Sequence, residues 1–316
     1  MTTSYAPTET PRPPVHLLAP MAEPMSHPAV RTAVEIMYEE YYEPITLAYL
    51  SRRVFISPFH FSRLFSRVTG ATPGRFLTAV RLFEAKRLLL DSDLTVSDVV
   101  CAVGYSSVGT FTTRFTRAVG MTPSQYRDPR MRDQLVAISP HYHRLPSLAV
   151  LRESTLREST LRESALRHAL RTGSRSGRAT LSARIELPHG VSAANVLVCA
   201  FADDIPQRAP VAFGGLTGQS GTATVELRGV PTGQWRVHVA AEHRGPQGNS
   251  VLTVGAIQRA ATVVDDETIV LRMRTRAIRP TDPPIAVTLS SRSGSLTPSG
   301  PQAALSAIPV RRLTAV

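Results

Sequence analysis

The spacing of apolar residues changes character along this chain. Between residues 29 and 127 it is helical. Phe61, Leu64, Phe65 and Val68 stand at i, i+3, i+4 and i+7, which is one face of a helix, and Phe111, Phe115 and Ala118 form the same kind of stripe. Val30, Val34, Ile36, Met37 and Tyr41 make a rougher stripe ahead of them. The pattern predicts seven helices between about 29 and 127. Short ones fall near 46–54 and 95–103, longer ones at 58–69 and 108–119, and a connecting helix at about 73–90. From residue 181 the texture becomes alternation over short runs, at 181–187, 195–202, 222–228, 234–241 and 267–274, separated by Gly, Pro, Asn and Asp. Runs of that kind predict strands, and their number predicts a β-sandwich. The fold class expected is α + β in separate domains, an all-α domain followed by an all-β one.

The stretches between carry neither pattern. Residues 1–28 hold seven prolines and read as a disordered tail. Residues 129–180 read as a linker. Within it, 151–170 repeats Leu-Arg-Glu-Ser-Thr every five residues. On a helix five residues rotate roughly 140° beyond a full turn, so those leucines spiral and build no face. The all-β domain is expected over 181–275, and 276–316, rich in Pro, Ser and Arg, as a second disordered tail.

The strongest signal is an internal repeat offset by 50 residues. Ser57, Phe61, Phe65, Arg67, Gly70, Thr72 and Pro73 recur as Ser107, Phe111, Phe115, Arg117, Gly120, Thr122 and Pro123, and Phe76 recurs as Tyr126. Each position has a physical reason. Serine caps a helix start, proline suits its first turn, glycine ends it, and Thr-Pro opens the next. A short helix precedes each copy; the second turn contains Gly104 where the first has Phe55. Short helix, tight turn and longer helix with a polar outer face make a helix-turn-helix, here present twice over 29–128. Joined by one helix, the two could enter successive major grooves of double-stranded DNA.

Charge alone would not have found this region. The chain carries 36 basic and 24 acidic residues, net +12, and Lys86 is its only lysine. Residues 29–128 contribute only +3, against +4 for 129–174 and +6 for 175–316. A basic balance suits a polyanionic partner without naming it. Cys101 and Cys199 lie far apart, which builds neither a disulfide framework nor a zinc site. No metal or cofactor is expected. Neither a signal peptide nor a span long enough for a bilayer is expected either, so the location implied is cytoplasmic and nucleoid-associated.

Six stretches make the region recognisable. They are Ser57-Pro-Phe-His-Phe-Ser-Arg-Leu-Phe, Gly70-Ala-Thr-Pro, Arg81-Leu-Phe-Glu-Ala-Lys-Arg-Leu-Leu, Val103-Gly-Tyr-Ser-Ser, Phe111-Thr-Thr-Arg-Phe and Gly120-Met-Thr-Pro-Ser-Gln-Tyr-Arg. Residues 44–128 resemble the DNA-binding domain of the AraC/XylS family of bacterial regulators. The resemblance covers about a quarter of the chain. It implies a transcription factor acting at specific promoter sites, with RNA polymerase as a protein partner. It also implies base-facing positions at Phe59, Ser62 and Arg63 in the first recognition helix, and at Val108, Gly109 and Thr113 in the second. Family members usually offer an arginine where this chain has Thr113; here the arginine is Arg114, rotated by about 100° around the helix and expected to reach a phosphate instead. Arg67 and Arg117 complete the expected DNA-binding set. Residues 181–275, with Gly229-Val-Pro-Thr-Gly-Gln-Trp-Arg-Val, resemble transthyretin-like and carboxypeptidase-regulatory-like sandwiches. A second domain in this family often senses a small-molecule or protein effector, usually from the N-terminal side; here the order is reversed.

Other residues read more plainly. The recognition-helix phenylalanines are core. Phe59 lies off their stripe, leaving a base contact and a simple exposed aromatic both open. Arg81 and Arg87 are expected to tie helices together by ion pairs, Cys101 to fill the core, and Trp235 to sit in the sandwich core. His141 and His143 lack further ligands for a metal. An enzyme is not expected, because no phosphate loop, paired carboxylates or activated nucleophile is present. The rival function is a protein-interaction module whose helix-turn-helix units no longer bind DNA.

Overall fold

The computed structural model describes residues 27–146, 179–257, 259–264 and 267–289. Nearly all of the expected N-terminal tail, the five-residue repeat and most of the expected C-terminal tail lie outside them.

Seven helices occupy residues 28–126: α1 (Pro28–Glu39), α2 (Leu47–Arg53), α3 (Pro58–Thr69), α4 (Pro73–Asp91), α5 (Val96–Ala102), α6 (Val108–Val119) and α7 (Pro123–Tyr126). Six of these starts are capped by side chains that occupy otherwise orphaned backbone donors; the exception is α3, where Ser57 stands at the N-cap but, contrary to expectation, makes no capping hydrogen bond. Thr46 Oγ1 accepts from the Tyr49 N–H, Thr72 from Arg75, and Ser107 from Thr110. Thr95 with Asp98, and Thr122 with Gln125, form reciprocal capping boxes. Gly70 and Gly120 close α3 and α6 in the left-handed conformation, at φ 76° and 89°. An eighth helix, α8 (Pro129–Asp133), follows in the stretch read as linker.

The helices form two apolar cores. In the first, α1 lays Val30, Val34 and Met37 over Phe61, Phe65 and Phe76. In the second, Phe111, Phe115 and Tyr126 pack with Phe83, Leu89, Val99 and Met131. Phe61, Phe65, Phe111 and Phe115 are fully buried as expected, whereas Leu64 and Val68 are half-buried at the edge of the stripe.

The β-rich region holds more strands than alternation revealed, and it begins before residue 181. Strands β1 (Leu135–Ser139), β2 (Tyr142–Arg144) and β12 (Ile285–Thr288) form a small sheet in the order β12-β1-β2. Leu135 pairs with Thr288 and Ile138 with Ile285. Strands β10 (Thr268–Arg274), β3 (Ala179–Glu186) and β6 (Thr222–Val230) form a second sheet, with β3 and β10 parallel. A third runs β11-β8-β7-β4-β5: β11 (Arg276–Ala277), β8 (Ser250–Ala256), β7 (Gly233–Arg244), β4 (Ala194–Phe201) and β5 (Ala212–Gln219); β9 (Ala261–Val263) pairs with β7.

These sheets stack in layers. Leu181, Ala183 and Ile185 of β3 meet Val196 and Val198 of β4 and Val237 and Val239 of β7 in one apolar core. The other face of β4 and β7, through Leu197, Cys199, Phe201 and Ala240, packs on Val136 and Ile138 of β1 and Val287 of β12. Leu135, Ala137 and Ala286 then point back into the second helical core. Every residue of β1 is therefore buried, which explains why it shows no alternation.

Several expectations are corrected here. Residues 129–144, read as linker, and 276–289, read as tail, contribute α8, β1, β2, β11 and β12. Both are needed because the second helical core has no counterpart of α1 to cover it. Cys101 is exposed, on the side of α5 opposite the buried Val99 and Val100. Among the described residues Arg81 makes no ion pair of the expected kind; it donates to the carbonyls of Tyr41 and Glu43, both at 2.7 Å. Arg87 pairs with Glu84 at 3.1 Å, but within α4 itself, so this pair does not tie helices together as expected. Trp235 is only partly buried at the edge of the sheet core, its indole N–H donating to the Pro231 carbonyl at 2.7 Å.

Candidate nucleic-acid interface

Each repeat ends its second helix on a left-handed glycine, Gly70 or Gly120, and turns one face outward. On α3 the outward face carries Phe59, 74% exposed, with Ser62 and Arg63 beside it. Phe59 and Arg63 are one turn apart, and the Arg63 guanidinium lies 5.6 Å from the Phe59 ring centroid. A cation held over an aromatic face is confined before any ligand arrives. On α6 the corresponding face carries Val108, 41% exposed, together with Gly109, Thr113 and Arg114. The two faces differ in chemistry. The first offers a long charged donor on an aromatic platform; the second offers small and methyl-bearing groups with one arginine displaced around the helix.

Arg67 and Arg117 do not join these faces at their amino ends. Both sit in the last turns of their helices. Arg67 borders a cleft facing the sheets, and the backbone carbonyl of Arg117 accepts a hydrogen bond from Arg208.

The two units are fastened to each other near their turns. Gly104, in the second turn, has φ 76°, and a Cβ there would lie 2.5 Å from the Tyr42 carbonyl oxygen. The α1–α2 connection therefore packs backbone to backbone against the second turn, which only glycine permits. Arg81 on α4 reaches the Tyr41 and Glu43 carbonyls with its guanidinium 5.4 Å from the Tyr105 ring centroid. Its pKa is lowered chiefly by burial, opposed by Tyr105 and reinforced by Arg114.

Lys86 has a structural role that sequence reasoning passed over. It is completely buried on α4, and its Nζ donates to the Gln207 carbonyl at 3.0 Å, to Gln207 Oε1 at 2.9 Å and to the Ala286 carbonyl. Three acceptors match the three donors of an ammonium, a compact group where the planar fork of arginine would not fit. Burial pushes its pKa down to about 7. Beside it, Ile205 seats against Ala71 and Ala79. The loop between β4 and β5 thus touches α4 through Ile205 and Gln207, and the end of α6 through Arg208. The one available signal was compositional, a single lysine among 36 basic residues.

Among the described residues no group of three or more His, Cys, Asp or Glu could hold a metal ion, and no helix is long and apolar enough to cross a membrane.

Comparison with known proteins converges on this region. A family model described as a helix-turn-helix domain matches residues 50–129. The uncharacterized helix-turn-helix-type transcriptional regulator YobQ of Bacillus subtilis is 29% identical over 102 residues, covering 32% of this chain and 42% of the relative. The probable transcription factor PqrA of Proteus vulgaris is 30% identical over 86 residues, 27% of this chain and 70% of the relative. Among solved structures, the C-terminal domain of the two-component response regulator yesN from Fusobacterium nucleatum is 31% identical, covering 32% of this chain and 98% of that one, at a TM-score of 0.31. The chain spans 30% to 42% of the length of the first curated relatives it matches.

Proposed function

The chain belongs, through this domain, to the AraC/XylS family of helix-turn-helix regulators, and from that premise we propose that it binds specific promoter DNA with α3 and α6 to regulate transcription. The observation that carries the proposal is the outward face repeated on the two helices. Both lie in the first two turns of their helices, both are free of the sheets, and both are joined by the single connecting helix α4. An α-helix fits the major groove, and two such helices fit successive grooves on one side of the duplex.

In this reading α3 does most of the hydrogen-bonded base readout. Arg63 is the long charged donor there and suits a guanine edge. Ser62 and Phe59 flank it. On α6, Val108 and Thr113 offer methyl groups to thymine, Gly109 lets the backbone approach, and Arg114 meets a phosphate. Arg67 and Arg117, at the carboxyl ends of their helices, take no base-reading role. The all-β part, with its transthyretin-like sandwich resemblance, serves as a binding module rather than a catalytic one. RNA polymerase is the protein partner proposed.

Genome-wide mapping of bound sites, followed by titration of a recovered site and of random DNA across a salt series, tests the proposal. Specific binding should exceed binding to random DNA by at least about 10³. Equal, salt-independent affinity for both would leave the protein-interaction reading in its place.

A further inference from the structure

A cavity of about 600 Å³ lies where the end of α3 meets the sheets. Its size falls within the range of small-molecule sites, about 300–1,000 Å³. The floor is apolar: Ile138 of β1, Leu197 and Phe201 of β4, and Ala240 of β7 border it. Cations dominate the remaining walls. Arg67, Arg236, Arg274, Arg276 and Arg279 line the space, against the two carboxylates of Asp204 and Asp282.

The ion pairs do not use up that charge. Arg236 Nε lies 2.6 Å from Asp204, and Arg276 makes two contacts of 2.7 Å to Asp282. Arg274 pairs outward with Glu186 at 2.9 Å. Arg67 has no ion pair to any of the described residues. The walls thus carry more positive than negative charge. His238 adds none at neutral pH, because burial, assisted by Arg236 and opposed by Asp204, pushes its pKa down to about 4. Its ring meets Phe201 edge to face, with centroids 5.6 Å apart.

The cavity is also wired to both recognition helices. One wall is the last turn and cap of α3, from Arg67 to Gly70. Another is Asp204 and Ile205 of the β4–β5 loop, and that loop grips α4 through Ile205 and the carboxyl end of α6 through Arg208. A group that filled the space would push on the carboxyl end of α3 directly and on that of α6 through the loop.

We propose that this cavity is an effector site for an amphipathic organic anion, a monocarboxylate with an aromatic or branched apolar body, whose occupancy is passed to α3 and α6. The apolar body covers the half-buried Val68, Val254 and Ile278, and the carboxylate meets the arginine walls near Arg276 and Arg67. The coupling rests on the regulator reading above; the binding itself does not.

The test uses the full chain and reads binding without DNA. The fluorescent anion 8-anilinonaphthalene-1-sulfonate is titrated in, then displaced by 4-phenylbutyrate or by the uncharged 4-phenylbutanol. One dye should bind per chain, and the carboxylate should displace it at a concentration at least about tenfold lower than the alcohol. Ala240→Phe and Val254→Trp, which fill the space from two strands, should each abolish the signal while circular dichroism stays native. Arg276→Gln should bring carboxylate and alcohol to within about threefold of each other. Equal displacement by both compounds, or an unchanged dye signal in both filled variants, would overturn the site. DNA binding is then measured with and without 4-phenylbutyrate. A shift in affinity that disappears in Ala240→Phe supports the coupling, and no shift at saturating carboxylate overturns it. Binding of the carboxylate by a chain with no affinity for DNA would overturn the regulator reading and leave the site standing.

Discussion

The two helix-turn-helix units share a sequence pattern but are completed in different ways. Thr46, Leu50 and Val54 of the first correspond to Thr95, Val99 and Val103 of the second at an offset of 49, while Ser57, Phe61 and Phe65 correspond to Ser107, Phe111 and Phe115 at 50. Ser106 is thus an extra residue in the second turn. The first turn places Phe55 at φ 55° in open solvent, 95% exposed; the second places Gly104 under the Tyr42 backbone. The first core is closed by an N-terminal helix and the second by α8 and two strands from distant parts of the chain, β1 and β12. The difference teaches that the repeat encodes a buried face and its caps. What covers that face, and what the turn abuts, is settled by the neighbours each unit happens to have.

The sharpest way to break this comparison is at the second turn. Gly104→Val combines a left-handed backbone angle with a Cβ 2.5 Å from a carbonyl oxygen, and should cost at least about 3 kcal/mol in urea unfolding. A cost below about 1 kcal/mol would mean that the α1–α2 connection yields, and that the units are not locked together there.

Next in size is Lys86, which joins α4 to β12 on the side of the second unit. Lys86→Ala strands the buried carbonyl of Ala286 and the half-buried carbonyl of Gln207 and should cost about 2–3 kcal/mol. The pH dependence has a definite sign. The unfolded lysine holds its proton to about 10.5 and the folded one to about 7. Between those values the unfolded chain binds more protons, so stability rises with pH across that window and is flat below it. Lys86→Met should lack the rise; an identical profile in both proteins would show that Lys86 is not desolvated.

The outward faces should separate by the kind of affinity lost. Arg63→Ala should cost about 1–3 kcal/mol of discrimination at one base pair. Arg114→Ala should instead weaken binding to all sequences alike and lower the salt slope by about one. Equal loss of specificity from both would make the two helices equivalent readers, contrary to their surfaces.

The smallest effect is expected at the first turn. Phe55→Gly relieves a strained φ but gives the unfolded chain more freedom to lose, so the two nearly cancel and stability should move by less than about 0.5 kcal/mol. A loss above about 1 kcal/mol, measured the same way, would show that the exposed ring makes a contact of its own.

Much of the helical region was legible because its determinants are local. Caps, helical spacing of Phe61 and Phe65, and terminal glycines act within one turn of chain, so helices at 58–69 and 108–119 could be placed from the residues alone. Strands such as 181–187 and 222–228 were legible because one face is apolar and the other is not. β1 was not, since both of its faces are buried and a short continuous apolar run carries no period. β5 was missed for the opposite reason, its Gly-rich sequence, Ala212 to Gln219, having little apolar alternation to detect.

The sequence by itself determined the repeat, the buried phenylalanine faces and the residues turned outward on α3 and α6. Those follow from short-range periodicity, which every residue in the segment helps to specify. Tertiary structure alone decided that residues 135–139 and 285–288 would pair to cover the second helical core, that Lys86 would meet Gln207 and Ala286 across the chain, and that five arginines from three separate segments would line one cavity. Such contacts join residues up to 200 positions apart. No local pattern records them, because each depends on how much uncovered apolar surface the folded neighbours leave.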